Sequence, residues 1–286
     1  MNGMKVTIGI TAYNEEKNIG KLLESLIKER YSFKLKEIIV VASGCTDKTT
    51  DIIERFSRIN KKIKLIIEKK RRGKASAINI ILKRSKGSII VFICADNIPK
   101  KDSINKIVKK FSKKKIGAVS GRPFPLESKN TFFGYISNLI WDLHHKACLK
   151  KPKISGELFA IRNEIVKKIP YNIINDDGYL TFLVKKLNYK LIYEPRAITY
   201  MTGKNTFFSL VKRRRRIARG YMQLKEIGMD VNIPLNIKIE SVIKYIKKEP
   251  HNIYKILFAI ILEIIIDALA YYDTIVGKTP YCWEKV

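Results

Sequence analysis

Ser88-Ile89-Ile90-Val91-Phe92-Ile93-Cys94-Ala95-Asp96-Asn97 decides the fold. Its first six residues form an apolar run with the length and composition of a buried strand. A carboxylate directly behind such a strand stands at the carboxyl edge of an α/β sheet, where open sheets bind their ligands. An acid in that place is suited to hold a divalent cation against phosphates. Taken singly, Asp96 reads as well as a helix cap or a turn former. The segments around it make the difference.

Upstream, strands and helices alternate. Val6-Thr7-Ile8-Gly9-Ile10-Thr11 reads as a first strand, and Ile19, Leu22, Leu23, Leu26 and Ile27 then recur at helical spacing. Asn14 is placed to cap that helix, with Glu15 and Glu16 in its first turn. Residues 37–41 form a second apolar strand, Ser43-Gly44-Cys45-Thr46-Asp47 a turn, and Ile52, Ile53 and Phe56 the next helix. Residues 63–67 give a third strand, and Gly73 opens a helix through Ala75, Ile78 and Leu82. Such alternation predicts an α/β fold, a mostly parallel central sheet flanked by helices on both faces. Downstream the pattern predicts strands at 116–120 and 157–161, and helices at 132–148, 179–187, 207–227 and 253–276. No repeat or Pro-rich linker divides the chain, so residues 1–230 read as a single domain and 231–286 as a C-terminal helical appendage.

With 286 residues and 46% hydrophobic content, a packed core is available and intrinsic disorder is excluded. Fifty-seven basic against 26 acidic side chains leave a net charge of +31. That excess fits an anionic partner, whether nucleotide phosphate, anionic lipid or nucleic acid, with a lysine-rich solvated surface accounting for part of it. Cys45, Cys94, Cys148 and Cys282 are scattered, so neither a zinc site nor a disulfide framework is indicated and a reducing cytosol fits. The first strand begins almost at the N-terminus without a secretory signal pattern, which places the expected site of action in the cytoplasm. His144 and His145 point to different helix faces and do not suggest a shared metal site.

The chemistry-bearing residues come in a fixed order. Thr11-Ala12-Tyr13-Asn14-Glu15 joins the first strand to the first helix, and a helix N-terminus offers free N–H groups to an anion. Ser43 and Lys74 begin further turns at the same edge; the glycine spacing before Lys74 is not that of a P-loop. Asp96 follows, then Ser155-Gly156-Glu157, then Asn175-Asp176-Asp177 before a helix, and finally Lys212-Arg213-Arg214-Arg215-Arg216. A carboxylate beside a nucleotide site can deprotonate an attacking hydroxyl, and clustered guanidiniums can neutralise a leaving diphosphate.

This ordered set resembles the inverting nucleotide-sugar glycosyltransferases of family 2, which have the GT-A fold, a Rossmann-like domain. The resemblance runs from about Val6 to Gly220. It implies that Thr11, Tyr13, Glu15, Ser43, Lys74, Asp96, Arg213 and Arg216 bind the donor. It further implies that Asp96 holds Mg2+ or Mn2+ as the second acid of the family's Asp-x-Asp motif, that Gly156, Glu157 and Asp176 lie on the acceptor side, and that Asp177 is the general base. The implied reaction is direct displacement of a nucleoside diphosphate, of UDP or GDP type, by an acceptor hydroxyl. Three departures stand out. Ala42 and Ser43 occupy the place of an acid that contacts the base. Cys94 replaces the first acid of Asp-x-Asp. Arg213 and Ile217 replace the Gln and Trp that processive synthases keep, which favours transfer of a single sugar.

Residues 253–276 form a very apolar stretch that is long enough to span a bilayer. Glu263 and Asp267, four apart on one face, would cost about 5–7 kcal/mol at its centre. The sequence therefore favours a helix lying in the membrane plane, then one packed on the domain, and only then a span. Lys244, Lys247, Lys248 and Lys255 fit an anionic membrane surface on the cytoplasmic side and a lipid-linked acceptor. The competing readings are a catalytically silent relative, motivated by Cys94 and Ala42, a GT-A nucleotidyltransferase, and a nucleic-acid-binding protein. The second lacks its Gly-rich basic loop after the first strand. The third lacks a known motif and aromatics interleaved with the basic groove, so no nucleic-acid partner is expected.

Overall fold

Residues 3–201, 206–230 and 233–277 are described by a computed structural model. Among them are strands β1 (Lys5–Ala12), β2 (Lys34–Ser43), β3 (Ile63–Glu68), β4 (Ile89–Cys94), β5 (Asn97–Pro99), β6 (Ile116–Pro125), β7 (Leu158–Arg162) and β8 (Lys190–Met201). The helices are α1 (Ile19–Lys28), α2 (Thr49–Ile59), α3 (Lys74–Arg84), α4 (Ser103–Lys109), α5 (Phe132–Lys150), α6 (Asp176–Lys186), α7 (Phe207–Glu226), α8 (Leu235–Lys248) and α9 (Ile253–Ile275). Cys282 lies outside the described residues.

All strands join one sheet in the order β3-β2-β1-β4-β7-β6-β8-β5. The first four pair in parallel, as the strand–helix alternation requires. Beyond β4 the sheet is mixed: β7 runs antiparallel to β4 and β6, whereas β6 and β8 are parallel. β1 lies between β2 and β4, with Thr11 opposite both Val41 and Cys94. The loops after β1, β2 and β4 therefore share one carboxyl edge, and the antiparallel β7 brings its entry loop, residues 155–157, to that edge.

Side-chain alternation buries both faces. Ile8 and Ile10 of β1 pack with Leu22 and Leu23 of α1 and Ile53 of α2 on one face. Ile39 and Val41 of β2 pack with Ile78 and Ile81 of α3 and Leu180 of α6 on the other. A third apolar cluster lies away from the sheet. There Ile136 and Leu139 of α5, Leu210 of α7 and Tyr245 of α8 enclose Ile256, Leu262 and Ile266 of α9.

Several details differ from the sequence reading. Asn14 does not cap α1, which begins at Ile19 after Asn18. It adopts a positive φ of 51° and its amide bonds Thr46, tying the loop after β1 to the loop after β2. β8 escaped the pattern because Glu194, Pro195 and Arg196 interrupt it. The register jumps there, from Ser120↔Tyr193 to Arg122↔Ile198, and the buried Glu194 is satisfied by Lys110 at 2.8 Å and Arg196 at 2.9 Å. Among the described residues no helix is long and apolar enough to cross a membrane.

Candidate active site

Asp96 sits in the turn after β4, and Glu157 just before β7. Because β4 and β7 are antiparallel neighbours, with Ile93 opposite Leu158, the two acids meet. The Sγ of Cys94, a carboxylate oxygen of Asp96 and one of Glu157 all lie within 4.8 Å of one another. Glu157 is held by Asn97, whose Nδ2 donates to its Oε2 at 2.6 Å, and the Cys94 thiol donates to the Gly156 carbonyl at 3.1 Å. Burial, then Glu157 and Glu15, raise the Asp96 carboxyl to about 7. Two half-buried carboxylates in contact repel, and a hard divalent cation removes that repulsion while using their oxygens as ligands. The donor set fits Mg2+ or Mn2+, with the thiol as a softer neighbour. Burial holds the Cys94 thiol well above its ordinary range, so it stands beside the acids as a neutral group.

Asp176 and Asp177 open α6, where the Asn175 side chain accepts from the Gly178 N–H. Asp177 Oδ2 accepts from the Gly156 N–H at 3.1 Å, joining α6 to the loop that carries Glu157. Asp176 is buried and pairs with Lys74 at 3.0 Å. The loop lies close against both side chains: a Cβ at Gly156 would come 2.8 Å from the movable Lys74 Nζ and within ordinary contact, 3.5 Å, of Asp177 Oδ2. Burial and the Asp176 charge raise the Asp177 carboxyl, against Lys74 and Lys153. Burial opposes charge on Lys74, but Asp176 and Asp177 outweigh it and keep the ammonium charged.

At the carboxyl ends of β1 and β2, Thr11 is the penultimate residue of its strand and Ser43, which is buried, the last of its own. Tyr13 lies under Arg71, whose guanidinium carbon is 3.6 Å from the ring centroid. The Glu15 N–H donates to Thr49 at 2.7 Å, and its carboxylate accepts from Asn18 at 2.8 Å.

The arginine run divides by helix periodicity. Arg214 makes a two-pronged pair with Glu263 of α9, at 2.8 and 2.6 Å, and Arg215 another with Asp273, at 2.6 and 2.7 Å. Arg213 and Arg216, three apart, look the other way. Arg213 acts on Asp96, while Arg216 feels Asp176 and Asp177. Burial lowers the Arg216 guanidinium to about 10.

Asp96, Glu157, Lys74, Asp176, Asp177, Arg213 and Arg216 thus gather at one place, with Thr11, Tyr13, Glu15 and Ser43 along the same edge. Glu157 adjoins Asp96 more closely than an acceptor-side role implied. The pairing of β4 with β7 decides this, and the sequence alone does not give it. Lys153 also escaped notice; it bonds the Tyr221 hydroxyl at 2.8 Å and its charge reaches Asp177. A lone lysine in a Lys-rich chain carries no signal of such a role.

The model of the family described as Glycosyl transferase family 2 matches residues 7–170. Among curated proteins, the chain is 28% identical over 223 residues to a poly-beta-1,6-N-acetyl-D-glucosamine synthase of Staphylococcus epidermidis, covering 74% of this chain and 53% of that protein. It is 32% identical over 237 residues to the probable glycosyltransferase YdaM of Bacillus subtilis, covering 77% and 56%. The chain spans about half the length of these curated relatives. Among solved structures, mannosyltransferase PcManGT from Pyrobaculum calidifontis, in complex with GDP-Man and Mn2+, superposes with a TM-score of 0.70 at 20% identity, covering 96% of this chain and 87% of that one. Glucosyl-3-phosphoglycerate synthase from Mycobacterium tuberculosis, with Mn2+, UDP-glucose and phosphoglyceric acid, gives 0.56 at 20%, covering 79% and 80%. These likenesses establish a shared GT-A fold.

Proposed function

The chain belongs to glycosyl transferase family 2, and on that premise we propose that it is an inverting hexosyltransferase that moves a single sugar from a nucleoside-diphosphate sugar to a hydroxyl acceptor. The donor is of UDP or GDP type, and the acceptor is lipid-linked at an anionic membrane surface. One observation carries the reading: two carboxylates suited to a cation, a half-buried acid suited to act as base, and the cations Lys74, Arg213 and Arg216 converge at one sheet edge.

Asp96 and Glu157 would hold Mg2+ or Mn2+, which supplies Lewis-acid stabilisation of the departing diphosphate. Asp177 takes the proton of the acceptor hydroxyl as its oxygen bonds to the anomeric carbon. The bond from that carbon to the diphosphate breaks on the opposite side, so the configuration inverts. The raised affinity of Asp177 for a proton makes it a better base than an exposed carboxylate. Arg213 and Arg216 neutralise the negative charge that develops on the leaving group. Arg213 and Ile217, in the places of Gln and Trp, support transfer of one sugar over chain elongation.

The experiment is thermal stabilisation against UDP-, GDP-, CDP- and dTDP-sugars, with and without Mn2+ or Mg2+. A cation-dependent rise in Tm with one nucleotide supports the reading and identifies the base. No rise with any of them, in folded protein, overturns it in favour of a silent relative.

A further inference from the structure

Helix α9 is apolar on two opposite faces. Its inner face, with Ile256, Ala259, Leu262 and Ile266, is buried against α5 and α7. The packed arrangement that the sequence ranked second is therefore present. Its outer face is covered by nothing among the described residues. Tyr254, Leu257, Ile261, Ile264, Tyr271 and Ile275 recur at spacings of three, four or seven and are each half to two-thirds exposed, from 50% at Leu257 to 68% at Ile275. On a helical wheel of about 100° per residue, the charged residues Lys255, Glu263, Asp267 and Asp273 all fall outside this stripe. Of the three acids, Glu263 and Asp273 are engaged by Arg214 and Arg215, while the exposed Asp267 borders the stripe beside Tyr271.

A second stripe runs along α8, where Leu235, Ile239 and Ile243 follow at intervals of four and are 69%, 50% and 47% exposed. Lys238 and Lys247 flank it on either side, and Lys248 follows. A monomeric soluble surface rarely carries so many exposed large apolar side chains on two helices. Apolar residues bordered by lysines match the layered chemistry of an anionic bilayer, hydrocarbon beneath phosphate.

We infer that the outer faces of α8 and α9 form a docking surface for an anionic lipid bilayer, with α9 lying in the plane of the membrane. The ion pairs Arg214–Glu263 and Arg215–Asp273, with the apolar inner stripe, keep α9 on the domain. A spanning orientation would break both pairs and empty the third cluster. The inference rests on the functional reading only in taking a membrane as partner; the face itself is independent of donor chemistry.

The test is flotation of the whole chain with vesicles of phosphatidylcholine alone and of phosphatidylcholine with phosphatidylglycerol, beside Ile261→Glu/Ile264→Glu and Lys238→Glu/Lys247→Glu variants. All four positions are exposed, so the fold should persist, and an unchanged melting curve checks it. The expected result is binding to the anionic vesicles, falling about tenfold or more in the Ile variant and becoming weak and salt-insensitive in the Lys variant. Absence of wild-type binding, or binding that the Ile variant retains, overturns the inference. So does a concentration-dependent dimer, seen by sedimentation, that the Ile variant abolishes, since a second copy would then cover the face. Nucleotide-sugar binding measured in vesicle-free buffer fails or succeeds separately, which distinguishes this inference from the catalytic reading.

Discussion

Replacing Asp177 by Asn should lower the transfer rate by about 10²–10⁴-fold while leaving donor affinity within about threefold. The substitution keeps the size of the side chain and removes its capacity to take a proton. Asp177 accepts from the Gly156 N–H through Oδ2 and from the Gly178 N–H through Oδ1. Asn retains one acceptor oxygen and so keeps one of these bonds; its amide nitrogen faces the other N–H. One lost bond costs about 1 kcal/mol, which for a chain of this size lowers Tm by about 2–4 °C. The rate loss corresponds to about 2.7–5.5 kcal/mol of transition-state stabilisation, so the two effects separate clearly. The assay is single-turnover transfer at saturating donor, with donor affinity titrated in parallel and folding followed by thermal melting. A rate within tenfold of the wild type, with the donor bound, would refute the assignment of Asp177 as the base.

Four other substitutions probe the site and helix α9. Asp176→Asn removes the negative charge that, after burial, most raises Asp177. The base works only when ionised, and its raised proton affinity holds the acid limb of the rate profile above the ordinary carboxylate range. Asp176→Asn should therefore move that limb to lower pH, with Lys74, released from its pair, pushing the same way; a limb that stays or rises contradicts this. Mn2+ affinity, read by electron paramagnetic resonance, should weaken as pH falls through about 7, where Asp96 gains a proton. Glu157→Gln should weaken it at all pH values and shift the fall to lower pH, since Gln can still accept from Asn97 but brings no charge; unchanged affinity would remove Glu157 as a ligand. In α9, Ile266→Ala should cost about 2–5 kcal/mol and Ile264→Ser less than about 0.5 kcal/mol. Urea unfolding that finds equal costs would mean that the inner and outer faces are wrongly assigned.

The parallel half of the sheet was legible because each of its strands is a continuous apolar run bounded by a turn and followed by a helical stripe. The period changes at each boundary, and burial on both faces leaves no ambiguity of face. Past Asp96 that regularity fails. β8 breaks at Glu194 and Pro195, where the charge is compensated by Lys110 and Arg196, residues remote in sequence or masked by their own polarity. α8 carries a narrow stripe among lysines. The site was legible as an ordered set of loops, since a parallel sheet sends every loop after a strand to one edge. Its internal contacts were not. Nothing in Ser155-Gly156-Glu157 announces that an antiparallel strand will set Glu157 beside Asp96.

The arginine run illustrates why composition alone misleads here. Five consecutive basic residues, 212–216, look like one anion-binding patch, yet a helix separates neighbours by about 100°. Arg213 and Arg216 turn towards the acids of the sheet edge, and Arg214 and Arg215 towards α9. The same helix thus lines the site with one pair and anchors the apolar helix with the other. Glu263, which as sequence argues against a membrane span, and Asp273 are what hold α9 to α7 with its most apolar exposed face outward. An Asp273→Asn substitution therefore bears on more than stability. It removes the partner of Arg215 at the C-terminal end of α9 and leaves that guanidinium half-buried without its carboxylate, loosening the backing of the helix that carries Arg216. Melting temperature and donor affinity should fall together in this variant, and a fall in melting temperature with unchanged affinity would show that the two faces of α7 act independently.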